Sequence, residues 1–229
     1  MGVFWPWGTE SCNPRLLLLA LVPHAEFPVP LLQSVSAVKH LLSAGVKPEN
    51  IIITGDSAGG NLVLQLLQHM IHPIDGLPRL PSDTLFKGAF MMSPWLDLIP
   101  RRKTQSYKMN GQWDIITPKK LHDFGNRILT RVPDDLLPYL DTYFTDEGWY
   151  NGIEGTVENI LVTAGGAECL RDDIIRFSKK LSAVHSRTKL IVDEFGVHND
   201  PFFDFFAGQN GGAELTPYII QWLVERFNH

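Results

Sequence analysis

Cysteine is nearly missing from this chain: Cys12 and Cys169 are the only two in 229 residues. They cannot build a disulfide framework or a Cys-rich zinc site, and such sparse usage fits a reducing compartment, so a cytoplasmic location is expected. Neither stands in a motif that would make it a nucleophile. Long apolar runs are lacking too. Leu16–Val22 is far too short to cross a bilayer and has no basic start or small-residue cleavage site, so neither a membrane span nor a secretory signal is expected. Met1-Gly2 is followed by Pro6 where a myristoylation motif has Ser or Thr, and no Asn-x-Ser/Thr sequon occurs. Basic charge is scarce: the formal net charge is −5, and Arg101-Arg102-Lys103 is an isolated triplet rather than a stripe. Nucleic acid is therefore not an expected partner, and the triplet reads as a solvated loop.

What is present is enough apolar material for one core. A chain that is 44% hydrophobic and of this length is expected to form a single domain over residues 1–229. Short apolar runs alternate with longer amphipathic stretches, which points to an α/β fold, a mostly parallel sheet flanked by helices. Five runs read as buried strands: Leu16–Val22, Asn50–Gly55, Phe86–Met92, Asn159–Thr163 and Lys189–Glu194. Helical spacing marks Pro30–Ala44, stopped by Gly45, a helix after Ser57 buried on one face and ending near Pro73, and Glu214–Phe227. Residues 97–153, rich in proline, separate two strands by far more than a usual connection, so they are expected to form a cap or part of a substrate pocket. Trp95, Trp113, Trp149 and Tyr150 are candidates to line it. His69, His72 and Asp75 lie at a helix end in a polar stretch and read as solvated rather than as a metal site.

The sharpest local signal is Gly55-Asp56-Ser57-Ala58-Gly59-Gly60. It follows Ile51-Ile52-Ile53 and opens a helix, the setting of a nucleophile elbow, in which a serine on a tight strand-to-helix turn projects its hydroxyl above the sheet. Small residues at 55 and 59 are expected because larger ones would collide with the turn. The helix start aims backbone N–H groups and a positive dipole end at a developing oxyanion, with the Ala58 N–H best placed. A phosphate-binding loop is excluded by the missing Gly-Lys-Ser/Thr ending and G-x-G-x-x-G spacing.

This box resembles the GDSAGG box of the hormone-sensitive-lipase-like carboxylesterases. Pro23-His24-Ala25-Glu26-Phe27-Pro28 and Ser93-Pro94-Trp95-Leu96-Asp97 are similar to the family's proline-rich turn before the elbow helix and to its loop after the following strand. The resemblance runs from about residue 16 to the end and implies an α/β-hydrolase with chain order Ser, acid, His. It makes His198, in Phe195-Gly196-Val197-His198-Asn199, the base. In Gly165-Gly166-Ala167-Glu168-Cys169-Leu170-Arg171-Asp172-Asp173, Glu168 aligns with the family's catalytic carboxylate and is favoured over Asp172. Asp172 and Asp173 also have an ordinary role as acids in the first turn of a helix.

The resemblance also exposes a gap. Family members carry a His-Gly-Gly-Gly-type oxyanion loop well before the elbow. Here the Gly-Gly pairs at 59–60, 165–166 and 211–212 all lie at or beyond Ser57, and residues 1–15 match no part of the family. The expectation is an N-terminally truncated α/β-hydrolase fold. The place of the missing strand would be filled by a sideways shift of Leu16–Val22, by strands from a second chain, or left as an exposed edge; a homo-oligomer is a further expectation. The expected function is a serine carboxylic-ester hydrolase acting on small to medium acyl esters through Ser57, His198 and Glu168, with Ala58 in the oxyanion hole and no metal or organic cofactor. The alternatives are a small-molecule-binding pseudoenzyme, favoured by the missing loop and opposed by the retained His198, or an inactive fragment.

Overall fold

The computed structural model describes residues 24–208 and 215–227. Four parallel strands, β1 (Ile52–Asp56), β2 (Gly88–Met92), β3 (Ile160–Gly165) and β4 (Thr188–Asp193), lie in the order β1-β2-β3-β4. These correspond to four of the five predicted runs; Leu16–Val22 lies outside the described residues. The register pairs Asp56 with Met92, Met92 with Thr163 and Gly165 with Asp193. Consequently the loops that leave β1, β3 and β4 all emerge at the same edge of the sheet, where open parallel sheets place their sites.

Period-two alternation sorts the strand residues onto two faces. Ala89, Met91, Ile160 and Val162 join the larger core, whereas Phe90, Met92 and Leu161 join a smaller one. The larger core receives α1 (Val29–Ser43) through Leu31, Val35 and Val38. Proline in its first turn suits its start, and Gly45, at φ +87°, lets the chain leave its end. It also receives α2 (Ala58–Ile71). The predicted helix was to be buried on one face, yet Gln65, Gln68 and His69 are buried alongside Val63, Leu64, Leu66 and Leu67. The reason is that segment 97–153 packs over the side of α2 that the pattern left polar.

That segment holds α3 (Gln105–Asn110), α4 (Pro118–Leu129) and the single turn α5 (Leu137–Leu140). Polar side chains of α2 anchor it: Asn61 Nδ2 donates to the carbonyls of Trp95 and Leu140 (2.7 and 2.6 Å), and Trp149 Nε1 donates to Gln68 Oε1 (2.6 Å). His69 is not solvated. Its Nδ1 accepts from the Ile74 N–H and its Nε2 donates to the Pro78 carbonyl, while His72 bonds to the Trp149 carbonyl. After β3, α6 (Arg171–Val184) buries Ile174, Phe177 and Leu181 in the larger core. Beyond β4 come α7 (Asp200–Phe206) and α8 (Leu215–Phe227), whose Leu215, Ile219 and Trp222 cover the opposite face of the sheet. Among the described residues no helix is long and apolar enough to cross a membrane.

The arginines at 101 and 102 overturn the solvated-loop expectation; only Lys103 is exposed. Arg101 pairs with Asp141 (2.7 Å), Arg102 with Asp97 (3.3 Å) and Arg176 with Asp173 (2.6 Å), and all three carboxylates are buried. The guanidiniums lie over Phe144 (4.8 Å from Arg101) and Tyr143 (5.0 Å from Arg102). The pairing of Arg101 with Asp141 spans 40 positions and leaves no local pattern, whereas the other two pairs are near neighbours in sequence. Burial, followed by repulsion between neighbouring acids, raises Asp97 and Asp173 from 3.8 to about 6, against the pull of the arginines.

Two predictions follow from these contacts. An acid whose pKa is higher folded than unfolded binds more protons in the native state, so its contribution to stability falls as pH climbs from about 4 through 6. The thermal midpoint should therefore decline between about pH 4 and pH 6, and Asp97→Asn should flatten that decline in pH-dependent melting. Gly125 in α4 faces the Leu98 carbonyl, which a Cβ would approach to 1.9 Å. Gly→Ala inside a helix ordinarily stabilises by about 0.5–1 kcal/mol; here the clash reverses the sign, and urea titration of Gly125→Ala should show a loss of about 1–3 kcal/mol.

Candidate active site

Ser57 occupies the turn between β1 and α2 with φ 52° and ψ −114°. Such a positive φ is strained for a residue with a side chain, by about 1–3 kcal/mol. Three backbone hydrogen bonds hold it: the Ser57 N–H donates to the Met92 carbonyl (2.9 Å), and the Ser57 carbonyl accepts from the N–H groups of Asn61 (3.1 Å) and Trp95 (3.0 Å). The turn is closed by glycine at 55, where a Cβ would lie 2.2 Å from the Gly59 carbonyl oxygen, and at 60, where it would meet Pro94 at 2.9 Å. Gly59 departs from expectation, since a Cβ there has nothing within 4 Å. The close approach at this point uses the backbone of residue 59 and leaves its side-chain direction open.

His198 and Glu168 converge on this serine from the loops after β4 and β3. His198 Nε2 lies 2.9 Å from Ser57 Oγ, and His198 Nδ1 lies 2.9 Å from Glu168 Oε2. Glu168 Oε1 accepts from the Gly165 N–H (3.1 Å). Glu168 is fully buried and His198 nearly so, whereas Ser57 is partly open and Ala58 exposed. Burial pushes the Glu168 carboxyl above its usual range, while its hydrogen bonds to His198 and Ser93 act in the opposite direction. An ionised Glu168 accepts the Nδ1–H, which leaves the Nε2 lone pair facing the serine hydroxyl.

The other acid considered from sequence, Asp172, is engaged elsewhere: it accepts from the Ser106 N–H (2.8 Å) and is paired with Arg171. Ala58 heads α2, where the first N–H groups of a helix have no intrahelical acceptor. Of the aromatic candidates, Trp95 and Tyr150 belong to the main core, and Trp149 packs against His72 and Tyr139. Trp113 alone among them is exposed, at 76%. Cys169 follows Glu168 directly, but burial and the adjacent Asp114 push its thiol up to about 12, so it stays protonated.

Several neighbours were not singled out from sequence. Asn199, at φ 58°, donates its N–H to Ser93 Oγ (3.2 Å) and its amide to Asp56 Oδ2 (3.3 Å), tying the residue after His198 to the residue before Ser57. Asn110 Nδ2 donates to the carbonyls of Gly166 (3.1 Å) and Glu168 (2.9 Å). Asp114 accepts from the N–H groups of Cys169 and His198. The only trace in the sequence is the presence of Asn110 and Asp114 four residues apart inside segment 97–153.

Residues 19–201 match the model of the alpha/beta hydrolase fold family. The chain belongs to that family. Among solved structures it is similar to the hormone-sensitive-lipase type: the crystal structure of an esterase from the bacterial hormone-sensitive lipase family aligns with a TM-score of 0.60 at 26% identity, covering 74% of this chain and 52% of that one. An esterase of Acinetobacter venetianus is 30% identical over 170 residues, which are 69% of this chain and 50% of that protein. Steryl acetyl hydrolase 1 of Saccharomyces cerevisiae is 24% identical over 194 residues, 79% of this chain and 43% of that protein. The chain spans about half the length of the curated relatives it matches.

The glycine geometry separates two substitutions that the motif alone would treat alike. Gly55→Ala should lower stability by roughly 1–3 kcal/mol or prevent folding, and Gly59→Ala should melt within a few degrees of the parent. Differential scanning fluorimetry of both variants checks this.

Proposed function

We propose that the chain is a serine carboxylic-ester hydrolase for small to medium acyl esters, with Ser57 as nucleophile, His198 as base and Glu168 as the acid that orients it. One observation carries the reading: Glu168 Oε2, the two ring nitrogens of His198 and Ser57 Oγ form a continuous hydrogen-bonded line with both links at 2.9 Å. A serine hydroxyl is a weak nucleophile until a base accepts its proton, and the base is effective only when a carboxylate fixes its tautomer and stabilises the imidazolium.

In the first half-reaction Ser57 Oγ attacks the ester carbonyl while His198 Nε2 takes the hydroxyl proton. The oxyanion is met by the Ala58 N–H, reinforced by the start of α2, together with a second donor. The tetrahedral intermediate collapses as His198 passes its proton to the departing alkoxide. The alcohol leaves and the acyl group remains on Ser57. Water then repeats the sequence, losing its proton to His198, and the acid product departs with Ser57 restored. These steps use no metal or organic cofactor. The strained backbone of Ser57 supports the reading, because strain held by three hydrogen bonds is characteristic of functional turns. The names of the relatives, an esterase and a steryl acetyl hydrolase, point to acyl esters as the substrate class. The competing reading is a protein that binds an ester-like ligand without cleaving it.

Hydrolysis of p-nitrophenyl acetate and butyrate by the purified chain separates the two. Turnover is expected, and Ser57→Ala should reduce it by roughly a thousandfold or more. A folded, monodisperse protein that leaves both esters intact would sink the hydrolase reading in favour of binding.

A further inference from the structure

Asp114 sits at the turn after α3, held by its own N–H to the Asn110 carbonyl (2.9 Å), and is 8% exposed. Its carboxylate divides between two loops that are far apart in sequence. Oδ2 accepts from the Cys169 N–H at 2.7 Å, and Oδ1 accepts from the His198 N–H at 3.1 Å. The first of these belongs to the peptide unit that joins Glu168 to Cys169, whose carbonyl is held at its other end by Asn110 Nδ2 at 2.9 Å. A peptide plane fixed at both its carbonyl and its N–H cannot rotate, so the Cα–Cβ direction of Glu168 is set by the α3 turn. The second bond fixes the backbone of His198 itself.

We propose that Asp114 is a positioning residue that sets the spacing between Glu168 and His198 by holding both of their loops on one carboxylate. The proposal rests on the reading of Ser57, His198 and Glu168 as a hydrolytic triad. The bases of the two loops are already joined, by the Ala167 N–H to the Gly196 carbonyl (2.8 Å) and the Gly166 N–H to the Asp193 carbonyl (2.5 Å). These bonds lie below the side chains that must meet, and Asp114 supplies the tie at their own level. Hydrogen bonds to an ionised acceptor are about twice as strong as neutral ones, which suits a carboxylate asked to restrain two loops. A second consequence is electrostatic: the charge of Asp114 helps keep the Cys169 thiol protonated and pushes the Glu168 carboxyl up.

A purely structural role would also be served by Asp141, another buried acid of the same segment, which accepts from the N–H groups of Leu98 and Tyr143 and touches neither triad loop. It provides the control. Asp114→Asn keeps one acceptor oxygen and presents an NH₂ to the other N–H, so one of the two loops is released. The parent, Asp114→Asn and Asp141→Asn are compared at a temperature where circular dichroism shows each to be folded. Two quantities are read: kcat and KM for p-nitrophenyl butyrate, and the low-field proton NMR signal of the His198 Nδ1–H shared with Glu168.

In Asp114→Asn, kcat should fall roughly tenfold to a hundredfold, the penalty of a displacement of about 1 Å in a catalytic constellation, with KM within about twofold and the low-field signal lost or shifted. Asp141→Asn should retain both kcat and signal while melting at lower temperature. A folded Asp114→Asn protein with parental kcat and an unchanged signal would overturn the proposal. So would an equal loss of kcat in the two variants. If the parent shows the signal but cleaves no ester, the hydrolase reading fails on its own, and the signal in Asp114→Asn still decides whether Asp114 positions His198.

Discussion

The backbone of Ser57 is bound on three sides at a conformation that serine does not favour, and the rest of the site is arranged around that fact. Its N–H reaches the end of β2 at Met92, and its carbonyl receives the chain at Trp95, just beyond β2. The turn therefore exists only because β1 and β2 are paired in the register that brings Asp56 beside Met92. Glycine at 55 and 60 lets the helix start close over the strand end. The stability of the whole sheet maintains the strain, and the result is a hydroxyl fixed in space before any partner arrives.

The second requirement is a buried carboxylate. Glu168 is removed from water, which opposes its ionisation, so it needs donors on both oxygens; the Gly165 N–H and His198 provide them. Around it the loops are held by side chains of segment 97–153, Asn110 among them. That segment is in turn attached by buried ion pairs at Asp97, Asp141 and Asp173 and by the polar residues of α2. The support of the acid thus comes largely from chain that lies between β2 and β3, far from either Ser57 or His198 in sequence.

Much of this framework was legible beforehand, for identifiable reasons. A parallel strand buried on both faces must be apolar nearly throughout, as β2 and β3 are; β1 and β4, expected to be buried like them, are only partly covered and stood out through their shorter Ile, Leu and Val runs. The elbow was legible because its geometry admits few residues, and Glu168 and His198 followed from chain order and resemblance. The illegible parts depend on convergence. Arg101 and Arg102 read as a solvated basic turn because the carboxylate that takes Arg101, Asp141, lies 40 positions away, and the burial of nearby Asp97 depends on the fold of the whole segment. His69 looked like a surface residue since its partners, the Ile74 N–H and the Pro78 carbonyl, are backbone groups that sequence does not display. The role of Gly59 was misjudged for a related reason: the contact that closes the turn is made by its carbonyl, and every residue has one.

The parallel register has a bearing on how such a chain can vary in length. Asp56 lies level with Met92 and Thr163, and Gly165 lies level with Asp193; each added or deleted strand residue would shift everything beyond it by about 3.3 Å and reverse which face its neighbours occupy. The strands are therefore closed to insertion and deletion. Residues following α3 and α4 meet no such constraint, provided the turn at 110–114 and the ion-paired residues keep their places. Diversity among proteins built on this plan should accumulate in the outer part of that connection, where change alters what surrounds the serine without moving it.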